Sequence, residues 1–372
     1  MLRKSFNDNW YFSKGTDSMI GSRETSEQEV TLPHDAMIME TRDPDCKNQH
    51  HTGFFPGGVY TYRKTLEVPE DYAGKIIYIE FEGVQKQAKV YINGDFAGKC
   101  PYGYSNFYIK ASQFLQPGTE NEIKVIAKTD AEPNSRWYTG SGIYRKVKLM
   151  VGEPLHIKVD GIKISTPDIE SDQAVVEVRT DLENEGWEQK NAYIYTEIKD
   201  AASEVVTSNQ APVTAFPGET STVRQRVSVS NPELWSIDEP NLYYCYSKVI
   251  LGDEVIDEAQ NQFGIRKLQL DTENGLRING ETINLRGACI HHDNGVVGAC
   301  TFKRAEERRV ELLKEAGFNA IRSAHHPISK DLLDACDRLG MLVMDETFDM
   351  WNQNKTDYDY AQYFQEWWEK DV

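Results

Sequence analysis

Residues 319–344 read NAIRSAHHPISKDLLDACDRLGMLVM, and this stretch decides the fold of the C-terminal third of the chain. Its first apolar residues predict a short strand, which Pro327 ends because proline has no backbone N–H to donate to a ladder. Ser329 is a good helix N-cap, the apolar residues after it recur with helical spacing, and Gly340 is a typical C-cap. The apolar run 341–344 is typical of a strand buried on both faces. This order predicts a βαβ unit and hence a parallel sheet.

The same pattern occurs immediately upstream. Residues 282–289 (TINLRGAC) predict a strand, and residues 304–316 (RAEERRVELLKEA) predict a helix that Gly317 terminates. Three consecutive predicted strands therefore end in polar residues: His291, His292 and Asp293, then residues 323–326, then Asp345, Glu346 and Asp349. Because the carboxyl ends of the strands carry the active site of a (β/α)8 barrel, we expect a catalytic or ligand-binding face here rather than plain solvated loops.

Residues 319–344 resemble the signature of glycoside hydrolase family 2, the family of β-galactosidases and β-glucuronidases. In that family an Asn, an Arg, a Ser-x-His-Tyr-Pro run and an Asp-x-x-Gly recur at this spacing, and His326 departs from it where Tyr or Asn is usual. Further segments similar to the family are TLPHD (31–35), GGVYTYRK (57–64), VYING (90–94), RWYTGSGIYR (136–145), FGIR (263–266) and LRG (285–287). In this order they identify the chain as a member of the family, similar to the N-terminal portion of its β-galactosidase-like members.

Three domains are predicted, which makes the fold class multidomain. Residues 1–152 show alternating strands around the turn dipeptide Asn93-Gly94 and no long helical period, which favours an antiparallel sandwich. The resemblance implies that this sandwich is a jelly-roll sugar-binding domain. Residues 153–266 continue as short strands whose spacing suits an immunoglobulin-like β-sandwich. Residues 267–372 are expected to form the first three βα units of a truncated (β/α)8 TIM barrel, the N-terminal part of a catalytic domain.

The acidic composition of the chain limits the kinds of partner that it can bind. The chain has 372 residues, a formal net charge of −18 and a sequence pI of about 5.0. This acidity argues against binding to nucleic acid or to a membrane surface, since both require basic patches. The first residues lack the apolar core of a signal peptide and no apolar run reaches membrane-spanning length, so we expect a cytoplasmic protein. The six cysteines have no CxxC spacing, which predicts free thiols rather than disulfides or a zinc site.

The resemblance implies a retaining exo-β-glycosidase. Retaining hydrolysis uses two carboxyl groups about 5–5.5 Å apart as acid/base and nucleophile. In the family these are glutamates after the fourth and seventh barrel strands, the first directly after an Asn, whereas the Asn-Glu pairs here (121–122 and 184–185) fall in the predicted β domains. Asp345 and Glu346 cannot replace them, because adjacent strand residues point to opposite faces. We therefore expect no catalytic residue within this chain, both glutamates beyond Val372, and no activity of the chain alone.

Six residues of this chain are predicted to bind substrate, each considered separately against the family: His325, Arg322, His292, Asp293, Glu346 and Trp137. The resemblance implies that His325 meets a ring hydroxyl of the sugar, a role that suits a side chain able to donate from one nitrogen. It also implies that Arg322 lies near the nucleophile, with a structural ion pair as the alternative. Glu346 is predicted to accept from a sugar hydroxyl. Trp137 is either an apolar platform for a sugar face or a core residue.

His292 and Asp293 either contact substrate or help to hold a metal. No third ligand is identifiable in the sequence, so no metal site is assigned. The expected chemistry requires no cofactor, and assistance by a divalent metal is left open.

The identity of the sugar is predicted from the first strand end. Residues 291–293, followed by Gly295 and Gly298, are more similar to β-galactosidase-type members than to β-glucuronidases. Terminal β-D-galactosides are therefore the expected substrates, with a β-glucuronidase or another family 2 glycosidase as the alternative. Ser135 and Arg136 stand where certain β-galactosidases have an aspartate, which weakens a strict galactose assignment.

An alternative from another class is a natural short form that acts as a non-catalytic carbohydrate-binding or scaffold protein. Three parallel strands would leave an open sheet edge, which favours the interpretation as part of an enzyme. A β-linked galactoside or related glycoside is the expected partner, and a homo-oligomer is left open.

Overall fold

The structure is a computed structural model that describes residues 1–15, 27–131 and 133–371. The described residues up to Gly152 form two antiparallel sheets whose inner faces share one hydrophobic core. The strands are β1 (Leu2–Ser5), β2 (Trp10–Lys14), β3 (Gln28–Val30), β4 (Val59–Glu67), β5 (Ile76–Phe81), β6 (Ala88–Ile92), β7 (Asp95–Cys100), β8 (Phe107–Lys110), β9 (Glu120–Lys128) and β10 (Val147–Gly152). The sheet orders are β1-β10-β5-β8 and β3-β2-β4-β9-β6-β7. We call this pair of sheets the first sandwich.

The predicted hairpin is confirmed. Asn93 and Gly94 connect the antiparallel pair β6 and β7 and have φ angles of 52° and 87°. Positive φ at both central residues is the requirement of the turn type that matches the twist of a hairpin. The local dipeptide therefore sets this connection.

A second pair of antiparallel sheets, which we call the second sandwich, lies between residues 155 and 263. Its strands are β11 (Leu155–Ile169), β12 (Gln173–Asn184), β13 (Lys190–Lys199), β14 (Val205–Ala215), β15 (Thr220–Ser230), β16 (Tyr243–Leu251) and β17 (Glu254–Phe263). The orders are β11-β12-β15 and β14-β13-β16-β17. Two apolar clusters fill the space between these sheets, because side chains alternate inward and outward along each strand.

The last third of the chain contains a small antiparallel sheet and a parallel sheet. The small sheet is β18 (Leu268–Asp271), β19 (Gly275–Ile278) and β20 (Glu281–Thr282), and the parallel strands are β21 (Gly287–Ile290), β22 (Ala320–Ser323) and β23 (Leu342–Met344). The helices are α1 (Lys303–Glu315), α2 (Lys330–Leu339) and α3 (Ala361–Asp371). The order β21-β22-β23 with α1 and α2 between the strands confirms the predicted parallel arrangement. None of the helices in the described ranges is long and apolar enough to cross a membrane.

Helix α2 follows its sequence signals closely. The Ser329 side chain accepts a hydrogen bond from the backbone N–H of Leu332 at 3.2 Å, and Gly340 ends the helix with a φ of 74°. The inward face of α2 includes Leu332, Ala335 and Cys336, which are buried against the sheet. Cap and periodicity act within a few residues, so this helix is determined locally.

Two strand predictions in this region are wrong in detail. Residues 282–289 are divided, because Thr282 pairs with Arg277 in the small sheet whereas Gly287 begins the parallel strand. The side chain of Asn319 fixes the segment between Thr282 and Gly287. Its Oδ1 accepts from Arg286 N at 2.8 Å, and its Nδ2 donates to Asn284 O at 3.0 Å. The run 341–344 is not buried on both faces.

The last residue of β23 is exposed: Met344 has an exposed fraction of 61%. β23 pairs with β22 alone among the described strands.

The first sandwich packs against the carboxyl edge of the parallel sheet through polar contacts. Tyr102 Oη donates to Thr347 O at 2.6 Å, and Arg145 Nη2 donates to Pro327 O at 2.9 Å. Lys330 Nζ lies 2.7 Å from the fully buried carboxylate of Glu80. The sandwich therefore forms one wall beside the polar strand ends.

All six cysteines are free, as predicted: Cys46, Cys100, Cys245, Cys289, Cys300 and Cys336.

Candidate functional site

The register of the parallel sheet brings the polar strand ends together. Cys289 pairs with Arg322, and Arg322 pairs with Met344, so the three strands finish at the same level. The residues that follow each strand therefore share one edge, as the carboxyl ends of parallel strands do in barrel active sites.

Arg322, His325 and Glu346 form a hydrogen-bonded cluster at this edge, which we call the strand-end cluster. Arg322 Nε donates to Glu346 Oε1 at 2.6 Å, and His325 Nδ1 lies 2.9 Å from Glu346 Oε2. Arg322 Nη2 also lies 3.2 Å from His325 Nδ1. Because a carboxylate only accepts, the shorter contact with Glu346 assigns the hydrogen to Nδ1, and the guanidinium then donates to Glu346 rather than to the ring. The Nε2 atom of His325 then carries a lone pair that can accept from a ligand hydroxyl.

The side chains of the strand-end cluster remain accessible. Their exposed fractions are 39% for Arg322, 30% for His325 and 23% for Glu346. Partial burial, followed by the nearby positive charge of Arg136, lowers the pKa of His325, while the hydrogen bond that the ring donates to Glu346 opposes this shift. The lowered pKa favours the neutral ring, which presents an acceptor rather than a cation.

Glu346, predicted to accept from a sugar hydroxyl, has protein partners at this edge. Both of its carboxylate oxygens contact Arg322 or His325. For Arg322 the alternative of an ion pair is the one observed, with Nη2 2.5 Å from Glu346 Oε1. Glu346 thus orients its two neighbours.

His292 lies in the interface with the first sandwich instead of at the accessible edge. It is 7% exposed, and its Nε2 donates to Thr139 O at 2.9 Å. Its ring meets the edges of Tyr104 and His326, while His326 stacks on Tyr104 with centroids 4.0 Å apart. His292 is therefore a packing residue in this arrangement.

Burial makes both interface histidines poor bases. Desolvation lowers the pKa of His292 to about 3 and holds the pKa of His326 well below its ordinary value. His292 Nδ1 and His326 Nε2 are buried without a hydrogen-bond partner in the described part of the chain. A proton on either ring would place an uncompensated charge in the interface.

We expect acid to destabilise the folded chain through these two rings. Unfolded histidine titrates near pH 6.5, so below that pH the unfolded state binds protons that the folded state excludes. Each neutral buried ring makes its full contribution to the free energy of unfolding above about pH 6.5. As the pH is lowered further, this contribution decreases by about 1.4 kcal/mol per pH unit until the pKa of the folded state is reached. Urea unfolding measured at pH 7.5, 6.5 and 5.5 checks this slope. His326→Phe should flatten it, and equal slopes in both proteins would contradict the assignment.

A crevice between the first sandwich and the carboxyl edge of the parallel sheet is lined by residues that are far apart in the chain. Its lining includes Tyr102, Tyr104, Arg136, His325 and Asp349. Arg136 is paired with Asp349, whose carboxylate also lies 3.1 Å from Lys355 Nζ. Of these residues, His325 was predicted from the sequence to bind substrate. Tyr102 and Tyr104 were not predicted, because they belong to a loop of the first sandwich that is distant in sequence from the parallel strands.

Trp137 and Asp293 lie outside the strand-end cluster. Trp137 is 50% exposed beside Gly53, so it is not a core residue, and it is not among the residues that line the crevice. Asp293 is partly buried, and its backbone carbonyl accepts from Arg309 Nη2 at 2.6 Å. The structure therefore brings together three of the six residues that were predicted to bind substrate.

Comparison with family models matches most of the chain after residue 155. The model described as glycosyl hydrolases family 2 matches residues 156–266. The model described as glycosyl hydrolases family 2, TIM barrel domain, matches residues 270–366. The fold is therefore a β-rich multidomain fold with a TIM barrel domain that is partly present.

Known proteins are similar over the whole chain. A β-galactosidase of Bacteroides ovatus is 38% identical over 373 residues, covering 100% of this chain and 44% of its own length. A β-glucuronidase of Formosa agariphila is 30% identical over 91% of this chain and 37% of its own length. The crystal structure of a glycosyl hydrolase family 2 member from Bacteroides cellulosilyticus superposes with a TM-score of 0.96 at 38% identity, covering 100% of this chain and 49% of that one.

The chain thus spans less than half the length of these relatives. Both family models and the full-length similarity agree with the signature around the strand-end cluster. The chain belongs to glycoside hydrolase family 2.

Proposed function

We propose that the chain is the substrate-positioning portion of a retaining exo-β-glycosidase that hydrolyses terminal β-D-galactosides. The observation that carries this proposal is the strand-end cluster, in which Glu346 fixes Arg322 and leaves Nε2 of His325 free to accept from a sugar hydroxyl. A neutral acceptor beside a guanidinium suits an uncharged, hydroxyl-rich ligand. The similar β-galactosidase of Bacteroides ovatus supports the same substrate class.

The domain assignments belong to the same proposal. Residues 1–152 would be the jelly-roll sugar-binding domain and residues 153–266 an immunoglobulin-like spacer, which their paired antiparallel sheets support. Residues 267–372 would supply the first three βα units of the barrel. A cytoplasmic location is supported by the six free thiols, which suit a reducing compartment.

The two catalytic carboxyl groups of such an enzyme are not found at the described strand ends. Asn121 precedes Glu122 in β9, and its side chain holds a loop by accepting from Gln116 N at 2.8 Å. Asn184 ends β12 and donates to Ala215 O at 3.0 Å. Both Asn-Glu pairs therefore lie in the sandwiches, which supports the proposal that the catalytic glutamates lie elsewhere.

Asp345 and Glu346 also fail as a catalytic pair. Asp345 Oδ1 accepts from Ile328 N at 3.1 Å, whereas Glu346 contacts Arg322 and His325. The two side chains have separate partners, which argues against a shared catalytic role. In the proposed enzyme both carboxylates come from other barrel strands.

A β-glucuronidase is the second candidate, because similar proteins include β-glucuronidases and Arg136 lines the crevice. An unpaired guanidinium there would attract a uronate. Arg136 is instead paired with Asp349, which offsets its charge and favours the neutral sugar.

Nitrophenyl glycosides test the proposal. We expect the 372-residue chain to show no saturable turnover of nitrophenyl β-galactoside above buffer, because retaining hydrolysis needs both carboxylates. The full-length protein purified from its natural source should hydrolyse the β-galactoside with retention and prefer it to the β-glucuronide by at least about tenfold, a difference of roughly 1.4 kcal/mol in transition-state binding.

The outcomes are distinct. Saturable turnover by the 372-residue chain would refute the absence of the carboxylates. A preference for the β-glucuronide would select the second candidate, and a full-length protein that binds galactosides without cleaving them would establish a non-catalytic role.

A further inference from the structure

A fully buried histidine lies where the chain passes from the first sandwich to the second. His156 is the second residue of β11 and has an exposed fraction of 0%. Its Nδ1 lies 3.0 Å from the backbone carbonyl of Glu153. A carbonyl only accepts, so Nδ1 carries the hydrogen and Nε2 carries a lone pair. Fixing one ring nitrogen in this way is how proteins orient a histidine that ligates a metal through the other.

The free nitrogen faces two carboxylates. His156 Nε2 has no hydrogen-bond partner within the described ranges and lies 3.9 Å from Glu183 Oε2. Glu183 lies in β12, and Glu185 follows its end. One ligand atom from each of these three residues lies within 4.8 Å of the others. A lone pair that faces carboxylate oxygens is repulsive unless a positive centre lies between them.

The three ligand atoms, which lie within 4.8 Å of one another, are spaced more widely than the ligands of a bound four-coordinate cation. Zinc binds histidine nitrogen and carboxylate oxygen at about 2.0–2.2 Å, which separates tetrahedral ligands by about 3.4 Å. Small rotations of two glutamates that are 23% and 16% exposed would close the remaining gap.

Outer contacts orient the carboxylates. Tyr78 Oη, from β5 of the first sandwich, donates to Glu185 Oε1 at 3.0 Å. Lys158 Nζ lies 3.1 Å from Glu183 Oε1, and Lys110 pairs with Glu185 Oε2. Both lysines are 44% exposed, so their ammonium groups can turn to solvent when a cation binds. Hydrogen bonds of the Tyr78 kind fix the ligands of a metal site.

We propose that His156, Glu183 and Glu185 form a site for one divalent cation of the zinc class, with a water as the fourth ligand. Imidazole with carboxylates suits zinc, whereas calcium and magnesium take sets of oxygen ligands. Because Tyr78 reaches Glu185 from the first sandwich, the site lies at the junction of the two sandwiches. Its residues lie outside the strand-end cluster.

The test uses the protein without a histidine tag, stripped with a chelator and titrated with Zn²⁺ by calorimetry at pH 7.5. We expect one equivalent to bind, Mg²⁺ to bind at least tenfold more weakly, and the melting temperature to rise with Zn²⁺. Glu183→Gln combined with Glu185→Gln should weaken Zn²⁺ binding by at least tenfold and abolish the thermal shift. Glu177→Gln is the matched control, since Glu177 lies in the same strand and pairs with Arg224 and Arg226 away from the site.

The single variant Glu183→Gln keeps the test decisive if the double variant does not fold, because this side chain is partly exposed and glutamine preserves its size. Wild-type protein that binds no stoichiometric Zn²⁺ would overturn the proposal. Equal affinity in the wild type and the glutamine variants would overturn it as well, since binding would then occur elsewhere.

Discussion

Replacing His325 by alanine in the full-length protein is expected to lower kcat/KM for a β-galactoside by about 100-fold, because the proposed hydrogen bond between His325 and the sugar is removed. Nε2 of His325 is the free acceptor of the strand-end cluster, and Glu346 holds the ring through Nδ1 at 2.9 Å. Steady-state kinetics with nitrophenyl β-galactoside measures the loss.

The fold should survive this change. His325 is 30% exposed, so its removal leaves no large cavity and the melting temperature should stay within about 2 °C, as surface substitutions usually do. His50→Ala, an exposed histidine of the first sandwich, is the control and should leave the kinetics unchanged. Unaltered kcat/KM in His325→Ala would reduce the residue to a structural role.

Asp35→Ala is expected to cost about 4 kcal/mol of unfolding free energy, the largest stability effect we predict, because it leaves several buried donors unpaired. Asp35 is 1% exposed and accepts four hydrogen bonds. The donors are Tyr138 Oη at 2.7 Å, Ala299 N at 2.8 Å, Met37 N at 2.9 Å and Ser141 N at 3.0 Å. Ala299 belongs to the loop after β21, so the carboxylate also ties the first sandwich to the parallel sheet.

Urea unfolding at pH 7.5 followed by tryptophan fluorescence measures this loss in the transition of the first sandwich. Asp43→Ala provides the matched control: its carboxylate is exposed and accepts from Asp45 N at 2.9 Å, so the change should stay within about 0.5 kcal/mol. A loss below about 1 kcal/mol in Asp35→Ala would show that the four donors find other partners.

The predictions that hold best concern signals contained in a few residues. Ser329 and Gly340 begin and end α2, and Asn93 with Gly94 forms the hairpin turn. The order of strand and helix was enough to predict a parallel sheet with its polar ends on one edge. The binding role that the family signature implies for His325 and its neighbours in the strand-end cluster stays a prediction.

The predictions that fail concern neighbours far away in the chain. Thr282 pairs with Arg277 in the small sheet, and Met344 at the end of β23 is exposed. The predicted substrate contact of His292 stays a prediction; its ring lies in the interface with the first sandwich, where Thr139, 153 residues away, accepts from it. Periodicity contains no information about such partners.

The sequence by itself therefore determined the elements, their order and the family, since capping, alternation and motif spacing act over a few covalent neighbours. Only the tertiary structure decided which polar residues face a ligand. Glu346 is tied to Arg322 and His325, and Arg136 is paired with Asp349 across 213 residues. The position of His156 beside Glu183 was likewise set by the register of β11 and β12, in which these two residues are paired. Such contacts depend on strand register and on packing between elements, and the need to satisfy buried polar groups restricts which partners are possible.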